Sequence, residues 1–181
     1  MATRPVTAHQ DAQEGAGILN RPRLTVLAAD MVDLVSSTGG WLYDRARAGW
    51  TVHALADRSP EVRPLTILGA TPVFADATSV LETTAGGALA VSAELLRRDA
   101  GLREQVLGLW NTGAAEVTVW GRSWPEELGR RVEPEQHRLS VAARAFKARA
   151  LVAAQAAHRD VAATETVFDL GSEAFRPLYP V

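Results

Sequence analysis

Apolar residues recur along this chain with two different periods, and the change of period predicts the elements. Two short apolar runs rich in β-branched and aromatic residues stand out. One is Gly49-Trp50-Thr51-Val52-His53-Ala54-Leu55-Ala56-Asp57; the other is Pro64-Leu65-Thr66-Ile67-Leu68-Gly69. They flank a polar turn containing Pro60, so both are predicted to be strands. The link from Asp57 to Pro64 is too short for an ordinary parallel crossover and favours a hairpin. Upstream, Leu24, Leu27, Met31, Val35, Thr38 and Leu42 have helical spacing, which predicts a helix from about Thr25 to Ala48. The run Thr25-Val26-Leu27-Ala28-Ala29 reads alternatively as a strand opening a βαβ unit.

Downstream of the pair, Ala70 to Asp76 reads as irregular or briefly extended. Ser79-Val80-Leu81-Glu82 is a capping box and predicts a helix to about Arg97. Asp99 is placed to cap a further helix through Trp110, stopped by Asn111-Thr112-Gly113. Glu116 to Trp120 is a third strand. Ser123-Trp124-Pro125-Glu126 starts a short helix, and Pro134 resets the chain before a long alanine-rich helix from Glu135 to about His158. Thr166 to Leu170 adds an edge strand, and Phe175 to Val181 is an apolar tail. Together these predict a single α/β domain over residues 23–181, with α+β as the variant. Its mixed sheet has three or four strands, covered by helices that include the long C-terminal one. Residues 1–22, polar and without a period, are expected to be a mobile arm.

Two glycine doublets sit in similar surroundings, Gly39-Gly40 before Trp41-Leu42 and Gly86-Gly87 before Ala88-Leu89. A glycine inside a helix costs about 1 kcal/mol relative to alanine, a cost usually offset by close approach of another backbone. The doublets therefore mark an expected interface, within the molecule or across a homodimer. Trp41 and Trp124 belong to it because tryptophan is enriched at binding hot spots, although it also fills cores.

Composition narrows the function classes. The 181 residues are 47% hydrophobic and 22% charged with a net charge of −2, which argues against nucleic acid or an acidic membrane as partner. Cysteine is absent, so thiolate catalysis and thiolate metal sites are excluded, in keeping with a reducing cytoplasm. No apolar run approaches a membrane span, and the N-terminus lacks the apolar core of a signal peptide. Gly-rich phosphate and dinucleotide motifs, His-Glu-x-x-His and Gly-x-Ser-x-Gly are all missing. His9, His53, His137 and His158 are scattered without ligand spacing. Neither a metal nor a cofactor is expected.

Candidate chemistry is left at the strand ends. Asp57-Arg58-Ser59 and Arg122-Ser123 would place two arginines, hydroxyls and helix N-terminal amides where α/β sheets bind ligands, suited to a carboxylate or phosphate. Asp57 also stands where the Rossmann family carries its ribose-binding acid, so this stretch resembles a second Rossmann strand, over one helix–strand unit and without the glycine fingerprint. His53 and Asp57 lie four residues apart on one strand, about 13 Å, too far to act as a pair. Arg138, Arg144, Lys147 and Arg149 form a basic stretch that reads as the solvated side of a core helix. The function expected from this balance is a non-catalytic regulator acting through protein–protein contact, with a protein partner or a second copy of itself. The alternative is a small enzyme or receptor for an anionic metabolite or nucleotide, held by Arg58 and Arg122.

Overall fold

The computed structural model describes residues 21–56, 61–129, 132–157 and 160–171. Seven strands form one sheet, β1 (Arg23–Ala28), β2 (Thr51–Ala56), β3 (Thr71–Pro72), β4 (Ala88–Ser92), β5 (Glu116–Trp120), β6 (Glu135–Arg138) and β7 (Thr164–Asp169). Their spatial order is β3-β2-β1-β4-β5-β7-β6. The first five are parallel, with Leu24 beside Val52 on one side and beside Ala88 on the other. β7 is antiparallel to both β5 and β6.

Six helices cover the sheet: α1 (Met31–Arg47), α2 (Arg63–Ile67), α3 (Ala77–Glu82), α4 (Ala93–Arg98), α5 (Ala100–Asn111) and α6 (Val141–Ala153). Alternate side chains of each strand point to opposite faces, and two cores result. Leu24, Val26 and Ala28 of β1 pack with Leu34, Leu42, Leu65, Leu68 and Leu151, under α1, α2 and α6. Leu27 turns the other way and joins Leu89, Val91, Val117, Val119, Leu96 and Val106, under α3, α4 and α5. Helices on both faces are what a largely parallel sheet needs, since neither face tolerates water.

One buried ion pair crosses the first core. Lys147 on α6 and Glu165 on β7 meet at 2.6 Å with side chains only 2% exposed. Glu165 also accepts from the amides of Gly40 (2.9 Å) and Trp41 (2.6 Å), in the middle of α1. The second acceptor of the Lys147 ammonium is the Ser36 carbonyl, at 2.6 Å. That carbonyl is the ordinary intrahelical acceptor for the Gly40 amide, so the pair engages a donor and an acceptor of the same helical turn. A clasp closes the far end of α1. Asp44 takes the Ser140 hydroxyl (2.6 Å) and amide (3.2 Å) and lies 3.1 Å from His137 Nε2. Burial would raise the Asp44 carboxyl, but these hydrogen bonds outweigh it and hold the group below the usual range.

The α/β class matches expectation, while the sheet has seven strands and not three or four. The run from Pro64 to Gly69 is not a strand: Pro64 lies in the first turn of α2, where a missing amide costs nothing. β3 then pairs parallel to β2, so no hairpin forms. The first helix begins at Met31, because Arg23–Ala28 is the strand of the alternative reading. Asp76, not Ser79, caps α3, and the helix expected to reach Arg97 is broken by β4. The long C-terminal helix is divided too, with β6 before Ser140, which caps α6 through its hydroxyl at 3.0 Å from the Ala143 amide. β7 is an interior strand, not an edge. Asp99 caps α5 as expected. Most of the expected N-terminal arm, and the apolar tail from Phe175, lie outside the described residues.

Candidate functional site

Strand order locates the site. From β1 the chain winds outward to β2 and β3, then returns to place β4 on the other side of β1. The connections leaving the carboxyl ends of β1 and β4 therefore diverge, and a crevice opens between them, as is usual at such a switch point. Its volume is about 540 Å³. Asp30 and Asp33 enter from the start of α1, Ser92 and Glu94 from the β4–α4 junction, and Arg97 and Arg122 from α4 and the loop after β5.

Local sequence rules explain why these side chains point there. Asp30, two residues past β1, caps α1, accepting the Asp33 amide at 2.7 Å. That fixes the first turn and directs Asp33 into the crevice. The Ser37 hydroxyl donates to Asp33 Oδ1 at 3.1 Å, and Ser92 Oγ lies 3.4 Å from Asp33 Oδ2. Ser92 occupies the cap position of α4 yet makes no capping bond with its side chain. Its fully buried hydroxyl faces the carboxylate across the switch point instead. On the opposite wall Arg97 is tied down, donating to the Ser123 carbonyl and hydroxyl at 3.0 Å each, with Glu94 at 3.9 Å. Arg122 is exposed and has no hydrogen bond or ion pair among the described residues. Gly121, at φ 152°, lets the loop turn here; a β-carbon would meet the Ala93 methyl at 2.8 Å. Trp120, just before it, is fully buried and its indole N–H has no partner among the described residues.

A larger hollow, about 630 Å³, adjoins the ends of β2 and β3. Met31, Leu55, Val73 and Phe74 line it, and none of the described residues that line it is titratable. Beyond the carboxyl ends of β1 and β4, described carboxylates and guanidinia line the smaller crevice. Among the described residues no three His, Cys, Asp or Glu side chains converge to hold a metal ion.

Of the residues expected from sequence, Arg122 lines the crevice and Ser123 holds Arg97. Asp57, Arg58 and Ser59 lie outside the described residues. Gly39 and Gly40 are inside α1, and a β-carbon on Gly40 would stand 2.5 Å from Leu139 Cδ1, so this doublet packs within the chain. Gly86 and Gly87 are not helical. They form the turn into β4, with Gly86 at φ 77°. Trp41 is 3% exposed beneath Arg45, and Trp124 stacks obliquely on Phe168. Asp33, Ser92 and Glu94 were not singled out from the sequence. The one signal that pointed to them was the strand reading of Thr25–Ala29, which makes Asp30 a helix cap at a strand end.

No protein-family model and no curated protein sequence matches the chain. Solved structures share its fold. The A40926 pseudoaglycone deacetylase Dbv21 matches with a TM-score of 0.55 at 15% identity, over 82% of this chain and 97% of that one. A deacetylase in complex with teicoplanin, from the biosynthesis pathway of teicoplanin, gives 0.57 at 12%, over 81% and 97%. GalB, the 4-carboxy-2-hydroxymuconate hydratase from Pseudomonas putida KT2440, gives 0.50 at 14%, over 88% and 97%. At such identities the likeness concerns the fold. The expectation of a non-catalytic regulator acting through protein–protein contact is corrected here: the proteins that share the fold are deacetylases and a hydratase. Among the described residues no helix is long and apolar enough to cross a membrane.

Proposed function

We propose that this protein is a small cytoplasmic enzyme that takes an anionic metabolite in the switch-point crevice and adds water to it. The observation that carries this reading is the facing pair of walls, an Arg122 without a partner among the described residues on one side and Asp33 with its two hydroxyl neighbours on the other. A free guanidinium suits a carboxylate or phosphate, which it binds with paired N–H bonds. Asp33 is partly exposed and suited to act as general base. It would take a proton from water as the water oxygen bonds to a double-bonded ligand carbon; the π electrons move to the far atom of that double bond, which then takes the proton from Asp33. The hydroxyls of Ser37 and Ser92 hold the carboxylate in place. Deacetylation and hydration are the reactions named for the structural neighbours, and hydration is addition of water.

A thermal-shift screen of small carboxylates and phosphates tests this. A true ligand raises the melting temperature of the wild type, and Arg122→Gln removes the shift. Asp33→Asn keeps binding and loses turnover. If no anion shifts the transition, or Arg122→Gln shifts with it equally, the crevice is not the site.

A further inference from the structure

We infer that the ligand of the crevice is zwitterionic, a short molecule bearing an ammonium group as well as its anion. The inference rests on the reading of the crevice as the binding site and concerns what else the ligand carries. The charge inventory of the walls supports it. Arg97 is already committed to Ser123 and Glu94, which leaves Arg122 as the guanidinium with no bond among the described residues. Facing it are Asp30 and Asp33 at the start of α1, whose bonds come only from neutral donors, the Asp33 amide and the Ser37 and Ser92 hydroxyls.

A purely anionic molecule drawn to Arg122 would meet two carboxylates with no cation beside them. An ammonium group on the same molecule removes that repulsion and gains Asp30 as an acceptor, leaving Asp33 to the water. The placement sets a length. Asp30 follows β1 and Arg122 follows β5, with β4 between them. Adjacent strands lie about 4.8 Å apart, so the two walls start roughly 10 Å apart at the backbone. Side chains reaching inward from both leave room for a molecule with a few bonds between its charges, an amino acid or an aminoalkyl phosphate.

The test compares three matched sets by calorimetric titration of the full chain. The first contains glycine, β-alanine, 4-aminobutanoate and phosphoethanolamine. The second contains the corresponding acids without nitrogen, including ethyl phosphate, and the third the corresponding alkylamines. The expected result is that at least one zwitterion binds tenfold or more tighter than its matched acid. Asp30→Asn, which keeps the helix cap, should reduce that advantage at least threefold, and Arg122→Gln should abolish binding. Carboxylate and phosphate members separate the two anion types. If an acid binds as tightly as its zwitterion, the inference fails while the anionic-ligand proposal stands. If only amines bind, or nothing does, both fail.

Discussion

Removing the ammonium of Lys147 is the most informative single perturbation of this fold. In Lys147→Met the volume is nearly conserved, so packing changes little. Glu165, 4% exposed, is left with the amides of Gly40 and Trp41 as its remaining partners. Stranding one member of a buried pair costs about 3–5 kcal/mol, against a total stability of about 5–15 kcal/mol for a typical domain. The cost should depend on pH. Burial pushes the Glu165 carboxyl up, with Lys147 and the two amides pulling it back, and the net position is above the ordinary value. A carboxyl raised in the folded state binds its proton more tightly there than in the unfolded chain. Its contribution is therefore most favourable at low pH and declines as pH rises from the unfolded value through the folded one. Without Lys147 the folded value climbs further and the decline continues to higher pH. Urea unfolding followed by tryptophan fluorescence should show Lys147→Met losing about 1 kcal/mol or more in addition between pH 5 and pH 8. The double variant Lys147→Met, Glu165→Leu frees the Ser36 carbonyl for the Gly40 amide. It should lie within about 2 kcal/mol of wild type, because a buried pair replaced as a whole is often close to neutral. Additive losses in the double variant, or single losses below about 1 kcal/mol, would refute the account of the pair as a coupled unit.

Lys147 is the chain's only lysine and is 1% exposed, so an acylating reagent should modify the α-amino group alone in the folded protein. Mass spectrometry should find a second adduct only in denaturant. Gly40→Ala should destabilise by about 1–3 kcal/mol through overpacking against Leu139, whereas Gly108→Ala, in α5 with open space around it, should stabilise by up to about 1 kcal/mol. Denaturation midpoints measure both. Ser140→Ala removes the α6 cap and the hydroxyl bond to Asp44. Thermal unfolding should show a loss of about 1–2 kcal/mol. The Asp44 carboxyl, held low in the folded state, contributes stability above its unfolded value near 3.8 that is lost as pH falls through the folded value. Asp44→Asn should therefore flatten the acid limb of the stability curve.

What could be read from the sequence follows from how each element is buried. β2 and β5 carry β-branched residues between turn signals, and α5 carries both a cap and a stop, so local chemistry and tertiary structure agree. The misread elements are those where they do not. β1 and β4 are enclosed on both faces, and their apolar runs, Leu24 to Ala29 and Ala88 to Val91, show no strand alternation to set them apart from a helix. β6 is exposed and polar over Glu135 and Gln136, so only its pairing with β7 marks it as a strand. In Pro64–Gly69 the β-branched content suggested a strand, while Pro64 favoured the first turn of a helix and determined the outcome.

The crevice was harder to foresee because no stretch of sequence contains it. Asp33 and Ser92 are separated by 59 positions and meet only because β4 returns to lie beside β1. Arg122 was legible, as an arginine just past a strand with a turn behind it. Its carboxylate counterparts were hidden by reading Thr25–Ala48 as one helix, which placed Asp30 and Asp33 inside a helix and not at its start. One misplaced boundary thus hides the acidic half of the crevice. With β1 ending at Ala28, Asp30 becomes a cap, α1 starts at the carboxyl edge of the sheet, and the switch point acquires an acidic wall opposite Arg122. The Gly39-Gly40 doublet takes the within-molecule alternative: it lets Leu139 and Glu165 approach the middle of α1, one turn beyond the residues that line the crevice.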